Sequence, residues 1–417
     1  MIRLICAALT AMMLLVSGTG FPQVLAENTG NENIDAAEMA VPEESAGEEA
    51  EETSAVFSMD SFEEKGLALF ESDVRYPALK EGAADEDLRQ KINDLILSDG
   101  KITDYVTRVS QLISGGSLTV RWKGAVMGNI FSFAVSAEGA VETLRPTFVW
   151  TGGNIDLETG EEATWEDLFT DPDHAKEIIA AYLEEDVLPD LSAHLLNSDL
   201  TNLPDLYRMT ERGLILLYPI DSLSTLSDRA GDVLIPWAVL KDELKTGEGT
   251  IADRMGLQNY IGVNESTLEK LEAAVTNGEI PGIPVKLGDS VFALEEEYSL
   301  LTDPDVYSGG RLFSLEGGSF RGVFLLTDYL SESWDNSVVD GIRVDVGGVE
   351  GLIIGETTMD EWRSALGEPD TTVVFDADQA EAWRTLPGTR DYYNFGEHVL
   401  QLHADESGTL ISVILTE

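Results

Sequence analysis

Cysteine is almost absent from this 417-residue chain; Cys6 is the only one. It sits in a stretch that reads as a secretion leader. Arg3 is followed by an uncharged run from Leu4 to Val16, then by the breakers Gly18, Gly20 and Pro22, and Val24-Leu25-Ala26 has the small-residue end of a cleavage site. Loss of residues 1–26 removes the thiol, which excludes internal disulfides and thiolate metal sites in the mature chain. Basic residues are also scarce: 26 Lys and Arg stand against 77 Asp and Glu, a formal charge of −51, or 25 − 77 = −52 after the leader. That balance argues against nucleic acid and anionic membrane surfaces, and favours cationic partners or plain solubility. Long hydrophobic runs are lacking too. The apolar run of the leader falls short of the roughly 20 residues that a span needs, so membrane attachment is expected only if the leader stays uncleaved. The expected location is secreted or cell-envelope associated.

What is present divides the chain. Residues 27–54 hold ten acids, no Lys or Arg and almost no large apolar group; they read as a disordered acidic spacer. From about 55 the texture becomes that of folded protein. Asp85 opens a helix with Leu88, Ile92, Leu95 and Ile96 on one face, and Tyr105, Val109, Leu112 and Ile113 mark a second. Residues 117–122 and 129–136 alternate as two strands, and 146–150 lead into the stretch that follows. The stretch Asn154-Ile155-Asp156-Leu157-Glu158-Thr159-Gly160 runs from strand into turn, with Gly160 suited to φ > 0. Thr164 and Asp167 then form a capping-box variant ahead of Trp165, Leu168 and Phe169. Asp171-Pro172 starts another helix, and strands follow at 214–218 and 233–235. The class expected is α+β: a mixed sheet-and-helix domain over 55–245, then a linker and helix over 246–282.

The order Tyr76-Pro77, Lys91-Ile92-Asn93, Ile155 to Gly160, Asp167-Leu168-Phe169, Gly213-Leu214, Gly231 to Trp237 and Leu240 resembles a bacterial extracellular domain of unknown function. Such domains accompany peptidoglycan deacetylases of the PdaC type and form the outer part of the lysozyme-sensing anti-sigma factor RsiV. The resemblance covers roughly residues 60–245 and implies, as partner, a basic secreted protein of the lysozyme kind or a cell-wall polymer. In such domains a Gly-Gly-Ala-His segment often precedes the turn. Here Glu138-Gly139-Ala140-Val141-Glu142 has no histidine, so any contact made by that segment does not carry over.

Beyond residue 282 an internal repeat is expected, over 283–346 and 351–417, as two small units of one helix and three antiparallel strands. Gly288 matches Gly355, Pro304 matches Pro369, and Asp328 matches Asp405. The pattern Gly-x-Thr leading to Leu-Gly-x-Pro-Asp is similar to modules of the BamE and beta-lactamase-inhibitor-protein type, which bears on fold alone.

Chemistry-bearing groupings are few. His398 and His403 fall on opposite faces of a strand, so a shared metal is not expected, and both read as surface or turn residues, as do His174 and His194. The pairs Asp171/Asp173, Asp303/Asp305 and Asp376/Asp378 read as helix caps and solvated turns; as a calcium loop, Asp303 fails at Ser308 and Ser314. No Gly-x-Ser-x-Gly elbow is present. Trp122, Trp150, Trp165 and Trp237 read as core or, less often, as a carbohydrate platform. Trp150, Gly152 and Gly153 are the candidate ligand-binding residues; no catalytic residue, metal or cofactor is indicated. The leading expectation is a non-catalytic binding or accessory protein of the envelope. A carboxylate-dependent hydrolase of an envelope polymer is the alternative, and two facing buried carboxylates in a cleft would mark it. A third reading is a surface protein that confers only solubility.

Overall fold

The computed structural model describes residues 57–61, 70–110, 116–141, 144–187, 203–218, 231–264, 266–298, 305–315, 319–327 and 337–417. The expected leader and spacer, His194, Asp303, Pro304 and Asp328 lie outside them. The chain is α+β. Among the described residues no helix is long and apolar enough to cross a membrane.

The first sheet has six strands in sequence order: β1 (Phe57–Ser61), β2 (Phe70–Leu79), β3 (Gly116–Met127), β4 (Ile130–Val141), β5 (Leu144–Asp156) and β6 (Glu161–Glu162). Only β2 and β3 run parallel, because α1 (Glu86–Asp99) and α2 (Ile102–Ser110) carry the chain across between them. Asp85 starts α1 by accepting from the Leu88 N–H at 3.0 Å. Ile92 and Ile96, fully buried, turn into the sheet against Phe131, Phe133 and Ile155. Residues 146–150 and 154–156 belong to one continuous strand, β5. Gly152-Gly153 lies inside it rather than in a loop, because its groups pair with Ala134 and Phe133 of β4.

A second core follows. α3 (Trp165–Leu168), α4 (Pro172–Tyr182) and the three-stranded sheet β7 (Tyr207–Thr210), β8 (Gly213–Leu217) and β9 (Asp232–Pro236) enclose it with α5 (Trp237–Leu240). The Trp237 indole N–H donates to the Thr210 carbonyl at 2.7 Å. Ser132 joins this sheet to the first. Its hydroxyl donates to Asn154 Oδ1 at 2.5 Å and accepts the Met209 N–H at 2.6 Å. The segment 246–282 is less a linker than a shared wall. Met255 and Leu257, after α6 (Ile251–Arg254), belong to the second core, while Leu271 and Val275 of α7 (Thr267–Thr276) belong to the third.

The third part departs from the two expected three-stranded units. α8 (Val291–Tyr298) leads to β10 (Asp305–Tyr307), β11 (Gly310–Ser314), β12 (Val323–Thr327) and β13 (Gly341–Val344). After the small hairpin β14 (Gly348–Val349) and β15 (Leu352–Ile353), α9 (Met359–Leu366) leads to β16 (Thr371–Phe375). α10 (Ala377–Ala382), β17 (Gly388–Phe395), β18 (His398–Asp405) and β19 (Leu410–Thr416) complete the chain of elements. Each half therefore carries four strands, and the halves fuse into one eight-stranded sheet, β10-β11-β12-β13-β19-β18-β17-β16. The short first strands of each half escaped the sequence pattern, and the β13–β19 seam has no local signal at all. Gly288 and Gly355 do fill equivalent turns, at φ 86° and 88°, a conformation costly for any side chain.

One face of this sheet is covered by α7 and α9, with Trp362 wholly buried. The other is crossed by α10 and the residues after it. Ala382 accepts from Ser308 at 2.9 Å, the Trp383 ring lies 5.4 Å from that of Tyr307, and Arg343 of β13 donates to the Arg384 carbonyl at 2.9 Å. The strap thus runs from the β16 edge to the β10–β11 turn. His403 lies beneath it, fully buried, rather than at the surface. Burial and the neighbouring Arg390 push its pKa down to about 4. The neutral ring accepts from Arg390 at Nδ1 (3.2 Å) and faces the Leu386 carbonyl through Nε2 at 2.8 Å, which makes Nε2 the protonated nitrogen.

Candidate functional site

The four tryptophans do not assemble a platform. Trp122 meets Phe131 edge-on at 6.3 Å over the first core; Trp165 stacks on Phe169 at 5.1 Å; Trp237 is enclosed. Trp150, half-buried, packs with Ala134, Ile215, Leu217 and Leu234 between the first two sheets. Gly152, at φ 149°, is a packing glycine, since a Cβ there would run into the Phe133 carbonyl. Gly153 is different. It faces the opposite side of β5, where a Cβ would stand 2.9 Å from Asp99 Oδ2.

Asp99 ends α1, at the negative pole of the helix dipole and with no basic residue in the last turn. Its Oδ2 is enclosed without a hydrogen-bond partner. Burial first, and the charge of Glu162 second, push its carboxyl up to about 6. From there a shallow groove of about 790 Å³ runs along the outer side of α1, lined by Asp87, Gln90, Lys91, Asp94, Leu95 and Ser98 and faced by Gly160, Glu161 and Glu162. The groove exists because the Asp156 turn closes on the helix. Asp156, buried, holds the turn by accepting from the Glu158 N–H at 2.9 Å and by pairing with Arg254. Gly160, at φ 63°, lets the helix approach, for a Cβ would come within 2.9 Å of Leu88 and 3.0 Å of Lys91. Lys91, the one basic residue among those lining the groove, donates to the Thr159 carbonyl at 3.0 Å. Asp87, Asp94, Glu161 and Glu162 outweigh it. The arrangement attracts positive charge.

Among the described residues no group of three or more His, Cys, Asp or Glu could hold a metal ion. Asp171 and Asp376 are helix caps, accepting from His174 at 3.1 Å and Gln379 at 2.9 Å. Of the sequence candidates, then, Gly153 stands against Asp99, next to but not among the residues that line the groove, while Trp150 and Gly152 lie on the other face of β5. Asp99 and Glu162 carried no signal in the sequence, because their proximity depends on α1 lying over the far end of β5.

The raised Asp99 pKa has a measurable consequence. A carboxyl whose folded pKa exceeds its unfolded value near 3.8 stabilises the fold fully below that value and loses the contribution as pH rises through about 6. Asp99→Asn is therefore expected to gain stability at pH 7 of about 1–2 kcal/mol, discounted for partial exposure. The gain should vanish near pH 4. Urea midpoints at both pH values measure it, and a gain equal at both would remove the titration from the explanation.

No family model and no curated protein matches the sequence. Solved structures offer partial likeness. One is a member of the DUF3298 family from Bacteroides fragilis, with 12% identity and TM-score 0.38, covering 48% of this chain and 96% of that one. A DUF3298 family protein from Pseudomonas aeruginosa gives 11% identity and TM-score 0.33, covering 46% of this chain and 92% of that one. A DUF4309 family protein from Bacillus subtilis gives 14% and 0.25, over 36% of this chain and 96% of that one. At these scores the likeness bears on neither activity nor ligand.

Proposed function

We propose that the protein is an exported, non-catalytic binding or accessory protein of the bacterial cell envelope, and that its first domain takes a cationic partner. The partner chemistry is a small basic secreted protein of the lysozyme kind or a basic stretch of wall polymer. The observation that carries this reading is the acidic groove along α1, set in a chain of net charge −51. The motifs that resemble PdaC- and RsiV-associated domains support it, and Lys91 and Gly160 of those motifs shape the groove itself. The hydrolase alternative calls for two facing buried carboxylates. Here Asp99 is half-buried while Glu162 is exposed, which favours binding over chemistry.

The test is a titration of the mature chain with lysozyme and with an equally basic unrelated protein. At 0.15 M salt the screening length is about 8 Å, so an unspecific electrostatic complex largely disappears there. A specific one survives with a slower on-rate and little change in off-rate. Reversing Asp94 and Glu162 to lysine should weaken it at least tenfold. Equal affinities for both proteins, lost together at physiological salt, would leave the acidic surface as a solubility device.

A further inference from the structure

The two ends of the eight-stranded sheet are finished differently. β10 is three residues long, and the turn after it is tied to the strap. β16 is five residues, Thr371–Phe375, in unbroken register with β17 and with no charge, proline or bulge. Stable monomers ordinarily keep edge strands short, charged or bulged, because a rim of unpaired N–H and C=O groups accepts another strand. This edge uses none of those protections within its own length. Thr371, Thr372 and Val374 are exposed, Val374 at 69%. Thr372 and Val374, two residues apart, share a face, so an added strand would meet a β-branched pair.

Charge brackets the strand. From Ser364 to Trp383 the sequence has no Lys or Arg, and Glu368, Asp370, Asp376, Asp378 and Glu381 are all exposed. Two of these precede the strand and three follow it. A second copy paired antiparallel about Val373 would set Asp370 against Asp376, like against like, a juxtaposition that costs stability. A strand with basic ends meets the opposite situation.

We propose that β16 is a docking edge for an extended polypeptide segment with a β-branched centre and Lys or Arg at both ends, bound by strand addition. Main-chain hydrogen bonds to the rim supply affinity, and alternate side chains over Thr372 and Val374 supply selection. The bracketing acids steer the encounter and set direction-independent preference for basic flanks. This surface belongs to the C-terminal sheet and is separate from the groove along α1.

The probe is a synthetic peptide, Lys-Lys-Thr-Val-Ile-Val-Thr-Lys-Lys, compared with its counterpart carrying Glu at the four Lys positions, against the full mature chain at 0.15 M salt. The basic peptide should bind at least tenfold more tightly, and amide exchange should slow over residues 371–375. Val374→Lys, a change at an exposed position, should weaken it at least tenfold. The double exchange Glu368→Lys with Asp378→Lys, which takes the bracketing charge from −5 to −1, should cut the preference for the basic peptide at least fivefold. Binding that ignores Val374→Lys, or protection that appears along residues 87–98 instead, would overturn the proposal. So would a dimer, seen by sedimentation without peptide and dissolved by Val374→Lys, which would give the edge to a second copy of the chain.

Discussion

Asp391→Ala is expected to destabilise the C-terminal sheet by about 3–5 kcal/mol, the cost of breaking a buried ion pair from one side. Asp391 is wholly buried under α9. Arg363 donates to both of its oxygens at 2.7 Å, the Trp362 indole to Oδ2 at 3.1 Å and Thr372 to Oδ1 at 2.7 Å. Removing the carboxylate leaves an indole N–H and a guanidinium without their acceptor. Burial alone would push this carboxyl up, but the bonds from Arg363, Thr372 and Trp362 more than offset it and hold it below the usual range. A depressed carboxyl pKa contributes stability that is complete above the unfolded value near 3.8 and lost as pH falls through the folded one. The difference between the native chain and the variant should accordingly persist to pH 4 and narrow below it. Denaturant unfolding followed by tryptophan fluorescence measures both; a loss under about 1 kcal/mol would mean that α9 is not seated as described.

Gly152→Ala is expected to cost roughly 4 kcal/mol, at the severe end for a single methyl. At φ 149° a side chain is strained already, and the new Cβ would meet the Phe133 carbonyl and the Ala134 Cα of the neighbouring strand. Neither is free to move, because both are backbone in the β4–β5 ladder. Gly153→Ala should cost about 1 kcal/mol or less, since it meets only the Asp99 carboxylate, a side chain able to rotate away. Thermal unfolding of the pair of variants separates the roles. Equal, mild losses would argue that Gly152 is not a packing glycine, and would return it to the ligand-binding candidates.

Legibility in the sequence followed the range of each interaction. Asp85, Thr164/Asp167 and Asp171-Pro172 marked helix starts because a cap is read within four residues, and each carboxylate accepts as a cap or capping box does. Gly160 was readable as a turn glycine, but not as the residue that lets α1 settle on the turn. That depends on Leu88 and Lys91, some seventy positions earlier in the chain. The groove was invisible for the same reason, as was Asp99, whose environment comes from Gly153 and Glu162. The burial of His403 is not legible from β18, where apolar and polar residues alternate normally; the strap that covers it is contributed by residues 377–387. The partition of 283–417 into two units rests on local turn signals such as Gly288 and Gly355. Nothing in either unit announces that β13 and β19 pair with each other.

That pairing sets the order in which the molecule can be completed. Gly341–Val344 finds its second neighbour only in Thr416–Val413, about seventy residues further along, so the centre of the sheet is the last part to close. While β16 to β18 are being laid down, β13 presents an open, apolar rim in a chain still gathering its partners. Partly assembled molecules of this shape are the ones that aggregate. The dense negative charge that keeps finished molecules apart would also keep such half-built chains apart, so one feature of composition serves both the native surface and the path that leads to it.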